Sequence, residues 1–527
     1  VKDRAMPSHQ SQNSGRKLQH GGALLVMLVI LVMGITTVFI TSLSHVGFKN
    51  QRNQNTSDAL AIAKEALIGR AVSDDNLPGS LPCPDTNNDG VAELFSGNAC
   101  PSYLGRLPWK SLGISDLRDG AGERLWYALS PEFRDQTSMP HSLNSETVGS
   151  ISLSGNVTAS NLIAVVIAPG SPLVNQTRPA ANENDYNHYL ESVVTSPSSF
   201  VLNTPDDHTE GVYSYNDQVI FLDHASVMQP VEQRIAREVK LCLDEYAASN
   251  PKRNYPWPAK ISLDNYVSYY NSTPILFGRI PTLPNVFATD PEALQFIAYL
   301  EAVQVALNNY SASVTTETRN ALDTAGIALE DYADWCTLTA CLTTSDTRDA
   351  AENAGELAQD LADGSSSISA VQNEINQTLS ELIGDGLISH ASISPYSMPT
   401  YWPNCQLLND SSSSAYWNYW RSQVFYQIDY DCRPYWGNCI ASGGSLAISR
   451  SDHVAAGTYS ATVLLARKPL SWQSRTPTNA SQYLEGNNVQ NETDTTPNTF
   501  ETYKSSDSDF ATNNDLVLCL DGRVNCK

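Results

Sequence analysis

Asn216-Asp-Gln-Val-Ile-Phe-Leu-Asp223 returns near the end of the chain as Asn514-Asp-Leu-Val-Leu-Cys-Leu-Asp521. Each copy reads as a short apolar strand between an Asn-Asp pair and a closing Asp. The match has company. Gly79-Ser-Leu-Pro-Cys-Pro84 is paralleled by Asn254-Tyr-Pro-Trp-Pro-Ala259, and Gly105-Arg-Leu-Pro108 by Gly278-Arg-Ile-Pro281. Ala164-Val-Val-Ile-Ala168 is paralleled by Thr462-Val-Leu-Leu-Ala466, and Tyr189-Leu-Glu191 by Tyr483-Leu-Glu485. One such match is chance. A series in the same order is an internal duplication.

Each copy follows a helical pattern. Before the first, Asp58, Ala59, Leu60, Ile62, Ala63, Leu67, Ile68 and Ala71 recur at helical spacing. Before the second, Val227, Val231, Ile235, Val239, Cys242 and Tyr246 form one stripe. The offset between copies jumps from ~173 to ~296 residues inside the second one. The surplus starts at Asp290-Pro-Glu292, an N-cap followed by a first-turn Pro and acid. It predicts Ala-rich helices near 291–312, 315–335, 346–363 and 367–388. The class expected is α+β: two tandem β-rich heads behind a long helix, the second head carrying a helical insertion.

The start of that long helix is apolar. Ala23-Leu-Leu-Val-Met-Leu-Val-Ile-Leu-Val-Met-Gly34 is nearly all aliphatic, and no Asp, Glu, Lys or Arg occurs from Gly21 to Phe48. As a helix, Gly22 to Ser44 would extend ~35 Å, enough to cross a bilayer core. A transmembrane helix is therefore expected, continuing as an amphipathic spine to about Val72. The run is too long for a cleaved secretory signal, and no small-x-small site follows it. Lys2, Arg4, Arg16 and Lys17 against Asp3 place the leader in the cytoplasm by the positive-inside tendency.

Arg16-Lys-Leu-Gln-His-Gly-Gly-Ala-Leu-Leu-Val26 resembles a prepilin-type signal, which is cut after a Gly and leaves the apolar helix on the mature protein. With the spine to residue 72, the chain resembles the type IV filament superfamily: a large minor pilin, or a tip-type pseudopilin of type II secretion. The heads agree in architecture only. Cutting after Gly21 puts Val26 at the fifth mature position, and cutting after Gly22 puts Met27 there. Most type IV pilins carry Glu at that place, whereas the largest minor pseudopilins lack it, which points to a filament tip.

The resemblance implies a cleaved leader over 1–21 and a transmembrane and amphipathic spine over 22–72. A first pilin-like head over 73–225 follows, then a helix and the start of the second head over 226–285. The helical insertion covers 286–395, and 396–527 completes the second head. The partners implied are other pilin subunits, the inner membrane and a prepilin peptidase. The place implied is a bacterial inner membrane, with the N-terminus cytoplasmic and the body periplasmic, or extracellular within a filament. The function implied is non-enzymatic: assembly, adhesion or substrate contact. Two rivals stand beside it, a membrane-anchored periplasmic binding protein outside any filament and an exported hydrolase.

The chain of 527 residues has net charge −24. Such an acidic body opposes nucleic acid and anionic lipid as partners. Its ten cysteines suit disulfides of an exported protein. Proximity suggests Cys83–Cys100, Cys336–Cys341, Cys432–Cys439 and Cys519–Cys526, leaving Cys242 and Cys405 for a distant bridge. Asp85-Thr-Asn-Asn-Asp-Gly90 fits the first half of a calcium loop, with Asp85, Asn87, Asp89, the Val91 carbonyl and Glu93 as candidate ligands for Ca²⁺. Ser96 stands where the bidentate acid belongs, and a solvated Asx-rich turn is the competing reading. Trp402, Trp417, Trp420 and Trp436, in a segment dense in aromatics, form a candidate sugar or partner surface if exposed and sheet core if not. HExxH, GxSxG, P-loop and Rossmann patterns do not occur. Ser249-Asn-Pro-Lys252 fits SxxK only formally, at a helix end.

Overall fold

The computed structural model describes residues 20–135, 143–174, 176–179, 182–204, 214–261, 275–282, 287–288, 291–339, 341, 343–385, 388–389, 402–409, 416–434, 438–450, 457–476, 479–490, 499–502 and 512–520. Helix α1 runs from His20 to Ser73. The first head then contributes β1 (Leu104–Arg106), β2 (Trp126–Leu129), β3 (Ile151–Gly155) and β4 (Ala159–Leu162). It continues with β5 (Ala164–Ala168), β6 (Val193–Thr195), β7 (Ser199–Leu202) and β8 (Gln218–Leu222). Helix α2 (His224–Ala248) opens the second head; its Asp223–Ser226 capping box satisfies two backbone N–H groups.

The second head brings β9 (Phe277–Arg279) and β10 (Phe287–Ala288). Helices α3 (Pro291–Ala312), α4 (Thr316–Thr339), α5 (Ser345–Asp363) and α6 (Ile368–Gly384) form the insertion, closed by β11 (Ile388–Ser389) pairing with β10. Then come β12 (Val424–Ile428), β13 (Leu446–Arg450), β14 (Gly457–Tyr459), β15 (Ala461–Leu465), β16 (Thr499–Thr502) and β17 (Leu516–Leu520). The insertion has its own core, including Phe296, Leu300, Leu329, Ala354, Leu361 and Ile375.

The two heads share one topology. β1-β2-β5-β8 and β9-β12-β15-β17 are antiparallel four-stranded sheets of the same order. A smaller sheet accompanies each: β4-β3-β7-β6 and β14-β13-β16, with β3–β7 and β13–β16 parallel. Register equates residues singly. Arg106 pairs with Trp126 and Gly105 with Tyr127; Arg279 pairs with Phe425 and Gly278 with Tyr426. Tyr127 Oη donates to Pro82 O at 3.3 Å, and Tyr426 Oη to Pro256 O at 3.2 Å. The insertion lies in the β9–β12 connection, where the first head has the loop between β1 and β2.

Burial explains the strand sequences. One face of each main sheet shares a core with α1 and α2, through Tyr127, Val166 and Leu222 on one side and Tyr426, Val463 and Leu520 on the other. The opposite faces are covered by the smaller sheets, through Leu153 and Phe200 in the first head and Ile448 and Phe500 in the second. β5, β12 and β15 are therefore buried at every position and read as apolar runs, broken only by Gln427 in β12 and Thr462 in β15.

Two glycines depend on this close packing. A Cβ on Gly105 would lie 2.5 Å from Asp85 O, and one on Gly278 would lie closer still to Ala259 O. Both obstacles are backbone, so neither yields cheaply. Gly278→Ala is expected to lower stability by about 3 kcal/mol and Gly105→Ala by about 2 kcal/mol, read from chemical denaturation. Unchanged midpoints would refute the paired approach.

The class is α+β, but the expected transmembrane helix is corrected. Among the described residues no helix is long and apolar enough to cross a membrane.

Candidate functional site

Arg106 is the centre of the first head's polar site. β1 places it beside Trp126, and its guanidinium lies between two rings, 4.1 Å from the centroid of Trp126 and 4.2 Å from that of Tyr189. It donates to Arg124 O at 3.1 Å and Glu183 O at 2.9 Å. Arg178 lies over the other side of the site, donating to the carbonyls of Gly170, His188 and Tyr189. Arg118 and Arg124 join them from the loop between β1 and β2, both bonded to Asp116. These four arginines, with Glu123, Glu183 and neighbours, line a polar cleft of about 480 Å³.

The second head repeats the framework. Arg279 lies 3.8 Å from the centroid of Phe425 and 4.7 Å from that of Tyr483. Arg475 lies over Tyr483 as Arg178 lies over Tyr189. Below each ring a buried carboxyl pair closes the head. Asp217 accepts from the N–H groups of Glu191 and Ser192 while Glu191 accepts from Asn216 N. Asp515 accepts from Glu485 N while Glu485 accepts from Asn514 N. Gln176 bonds Glu191, and Gln473 bonds Glu485. Burial, then the neighbouring carboxylate, pushes Asp217 and Asp515 well above the ordinary Asp range. The Oδ2 of each Asp and one carboxylate oxygen of each Glu accept from backbone N–H groups, so the pairs act as loop clamps.

The Glu residues at the seam between the heads carry a second electrostatic feature. Glu232 on α2 is 1% exposed and lies 3.1 Å from Arg467 Nε. Glu146 pairs with Arg475 at 3.5 Å, and Asn144 Nδ2 donates to Tyr419 O. Burial raises Glu232 to about 7, offset in part by Arg467. An acid raised on folding stabilises fully below its unfolded value near 4.5, and that contribution is lost as pH rises through 7. His224 acts in the other direction. Burial lowers it to about 4, so its contribution is lost as pH falls from about 6.5 through 4. Thermal denaturation is expected to show stability falling from pH 5.5 to 7.5, and Glu232→Gln is expected to flatten that slope. An identical slope in the variant would exclude Glu232 as its source.

The candidate calcium residues share one loop, but their oxygens are engaged. Asp85 accepts from the N–H groups of Asn87, Asn88 and Gly90. Asn87 accepts from Asp89 N and Asp89 from Val91 N, while Glu93 accepts from the N–H and hydroxyl of Thr86. This is a self-capped Asx loop. These bonds order the loop, and the carboxylate oxygens of Asp85 and Glu93 keep further lone pairs. Among the described residues no group of three or more His, Cys, Asp or Glu is placed to hold a metal.

Of the aromatic set, the described tryptophans form core, not surface. Trp402, Trp417 and Trp420 lie in the shared core, 1%, 7% and 0% exposed, and Trp402 Nε1 donates to Pro281 O. Burying their large apolar area against α2 outweighs any display to solvent. Trp436 lies outside the described residues. Disulfides join Cys83–Cys100, Cys242–Cys405, Cys336–Cys341 and Cys432–Cys439. Cys519 lies on β17, and Cys526 lies outside the described residues. Gly21 and Gly22 fall in the first turn of α1, while the basic residues before them lie outside the described range.

The arginine cleft was not a sequence expectation. A signal existed: Gln176-Thr-Arg178 recurs as Gln473-Ser-Arg475, between two of the matches already noted. No protein-family profile, no characterised protein and no solved structure matches the chain.

Proposed function

We propose that this chain is a non-enzymatic minor subunit of a type IV pilus or type II secretion-like filament, placed at or near the tip. The observation that carries the reading is the division of α1. Its C-terminal half is built into the heads: Ala59, Leu60, Ala63, Leu67 and Ala71 are buried, and Arg52 Nε donates to Gly120 O. Among the described side chains of its other half, Met27, Leu28, Ile30 and Leu31 are each more than half exposed, as is Phe48. Burying such a side chain is worth about 1.5–3 kcal/mol, so the helix calls for a partner, and helices of other filament subunits supply one.

The remaining features support the same reading. The four disulfides among the described residues fit a chain held in an oxidising compartment. A second head and a helical insertion suit a tip, where a subunit need not pack in a repeating shaft. Gly21 and Gly22 are the processing positions this reading requires. Photo-crosslinkers placed at Leu28 and Ile30 in cells test it. Adducts to the helices of other filament subunits are expected. Adducts confined to lipid, or none, would favour an anchored protein outside any filament.

A further inference from the structure

We propose that the cleft of the first head binds a small oxyanion, a carboxylate or a phosphate group, on the edge of Arg106. Four guanidinium groups converge there in a chain of net charge −24, against the trend of the whole surface. Three of them already have a counter-charge. Arg118 and Arg124 share Asp116, and Arg178 lies 3.7 Å from Glu123. The Glu183 carboxylate accepts from Asn88.

Among the described residues Arg106 is the one of the four with no ion pair; Glu123 and Glu183, which line the same cleft, act on it at longer range. Arg106 is 3% exposed and donates to two carbonyls, while its Nε–H has no acceptor among the described residues. Burial alone lowers it, to about 10. A buried guanidinium with no ion pair and an unsatisfied Nε–H is costly, and an entering oxyanion would supply a charge partner and an acceptor in one group. A planar guanidinium fixed between two rings suits the paired oxygens of a carboxylate or phosphate.

The rest of the cleft is arranged beforehand. Burial raises Asp116, but hydrogen bonds from Arg124 and Arg118 outweigh it and hold the carboxyl below its ordinary value. Asp116 therefore stays ionised and holds both arginines in place, so binding need not order them. The duplication isolates what is particular to this head. Arg279 repeats Arg106 on the sheet. Arg118 and Arg124, however, belong to the loop between β1 and β2, and the second head uses that connection for its helical insertion. The same connection has thus been specialised twice, once as a ligand loop and once as a bundle.

The test is calorimetric titration of the full chain, dispersed in mild detergent, with sodium phosphate and with sodium glucuronate separately at constant ionic strength. Saturable one-site binding of at least one is expected, and which one answers distinguishes a phosphate from a carboxylate ligand. Arg118→Glu, at a half-exposed position outside the core, is expected to weaken binding tenfold or more. Arg319→Glu, on exposed α4, is expected to leave it unchanged. No saturable binding of either anion would overturn the proposal. So would equal affinity in Arg118→Glu, or an equal loss in Arg319→Glu.

Discussion

If α1 packs in a filament as proposed, Ile30→Asp is expected to abolish incorporation of this chain while the heads stay folded. Ile30 is 65% exposed, so the isolated chain tolerates the change. In an assembly the same position sits against other helices. The variant forfeits about 2–3 kcal/mol of apolar burial and adds an unpaired carboxylate, which costs several more. The sum corresponds to a loss of roughly 1,000-fold or more in assembly. Leu94→Asp is the control, since Leu94 is 86% exposed on a loop of the first head. Sedimentation of sheared filaments followed by immunodetection reads the result. Equal recovery of both variants would contradict a packing role for α1.

The second large effect concerns Cys242–Cys405, which closes a loop of 163 residues and ties α2 to the segment beyond the insertion. Chain entropy alone assigns such a bridge about 5 kcal/mol, more than the short Cys336–Cys341 and Cys432–Cys439 loops can contribute. Both sulfurs lie in the shared core, next to Trp402 and Trp417 in the same cluster. The double variant Cys242→Ala, Cys405→Ala is expected to lose most of the second head's stability to chemical denaturation. Cys336→Ala with Cys341→Ala is expected to lose less than half as much. Equal losses would show that the long closure is not what matters.

The duplication was legible because its markers sit where geometry is least forgiving. Gly105-Arg106 and Gly278-Arg279 need a missing Cβ and a stacked guanidinium at one sheet position, so the words survive in both copies. One alignment slipped. The sequence pairs Ala164 with Thr462. Register instead pairs Ala164 with Ala461, since these face Leu129 and Ile428 on one side and Leu222 and Leu520 on the other. Both strands are buried on both faces, so no alternation was present to fix the phase.

The insertion was readable from its helical periodicity, whose helices begin and end within a few residues of the expected bounds. The aromatic segment misled because composition cannot tell a displayed Trp from a core Trp. Its fate depends on α2 and Pro281, more than a hundred residues away. The arginine cleft was illegible for the same reason. Arg106, Arg124 and Arg178 meet only when the sheet brings three separate segments together.

The central claim is that α1 is the spine of a processed filament subunit. N-terminal sequencing of the mature chain from its native source tests it most directly. The expected result is a start at Gly22 or Ala23 that disappears when the prepilin peptidase is removed. A chain that keeps the residues before Gly21, whether or not the peptidase is present, would contradict the account.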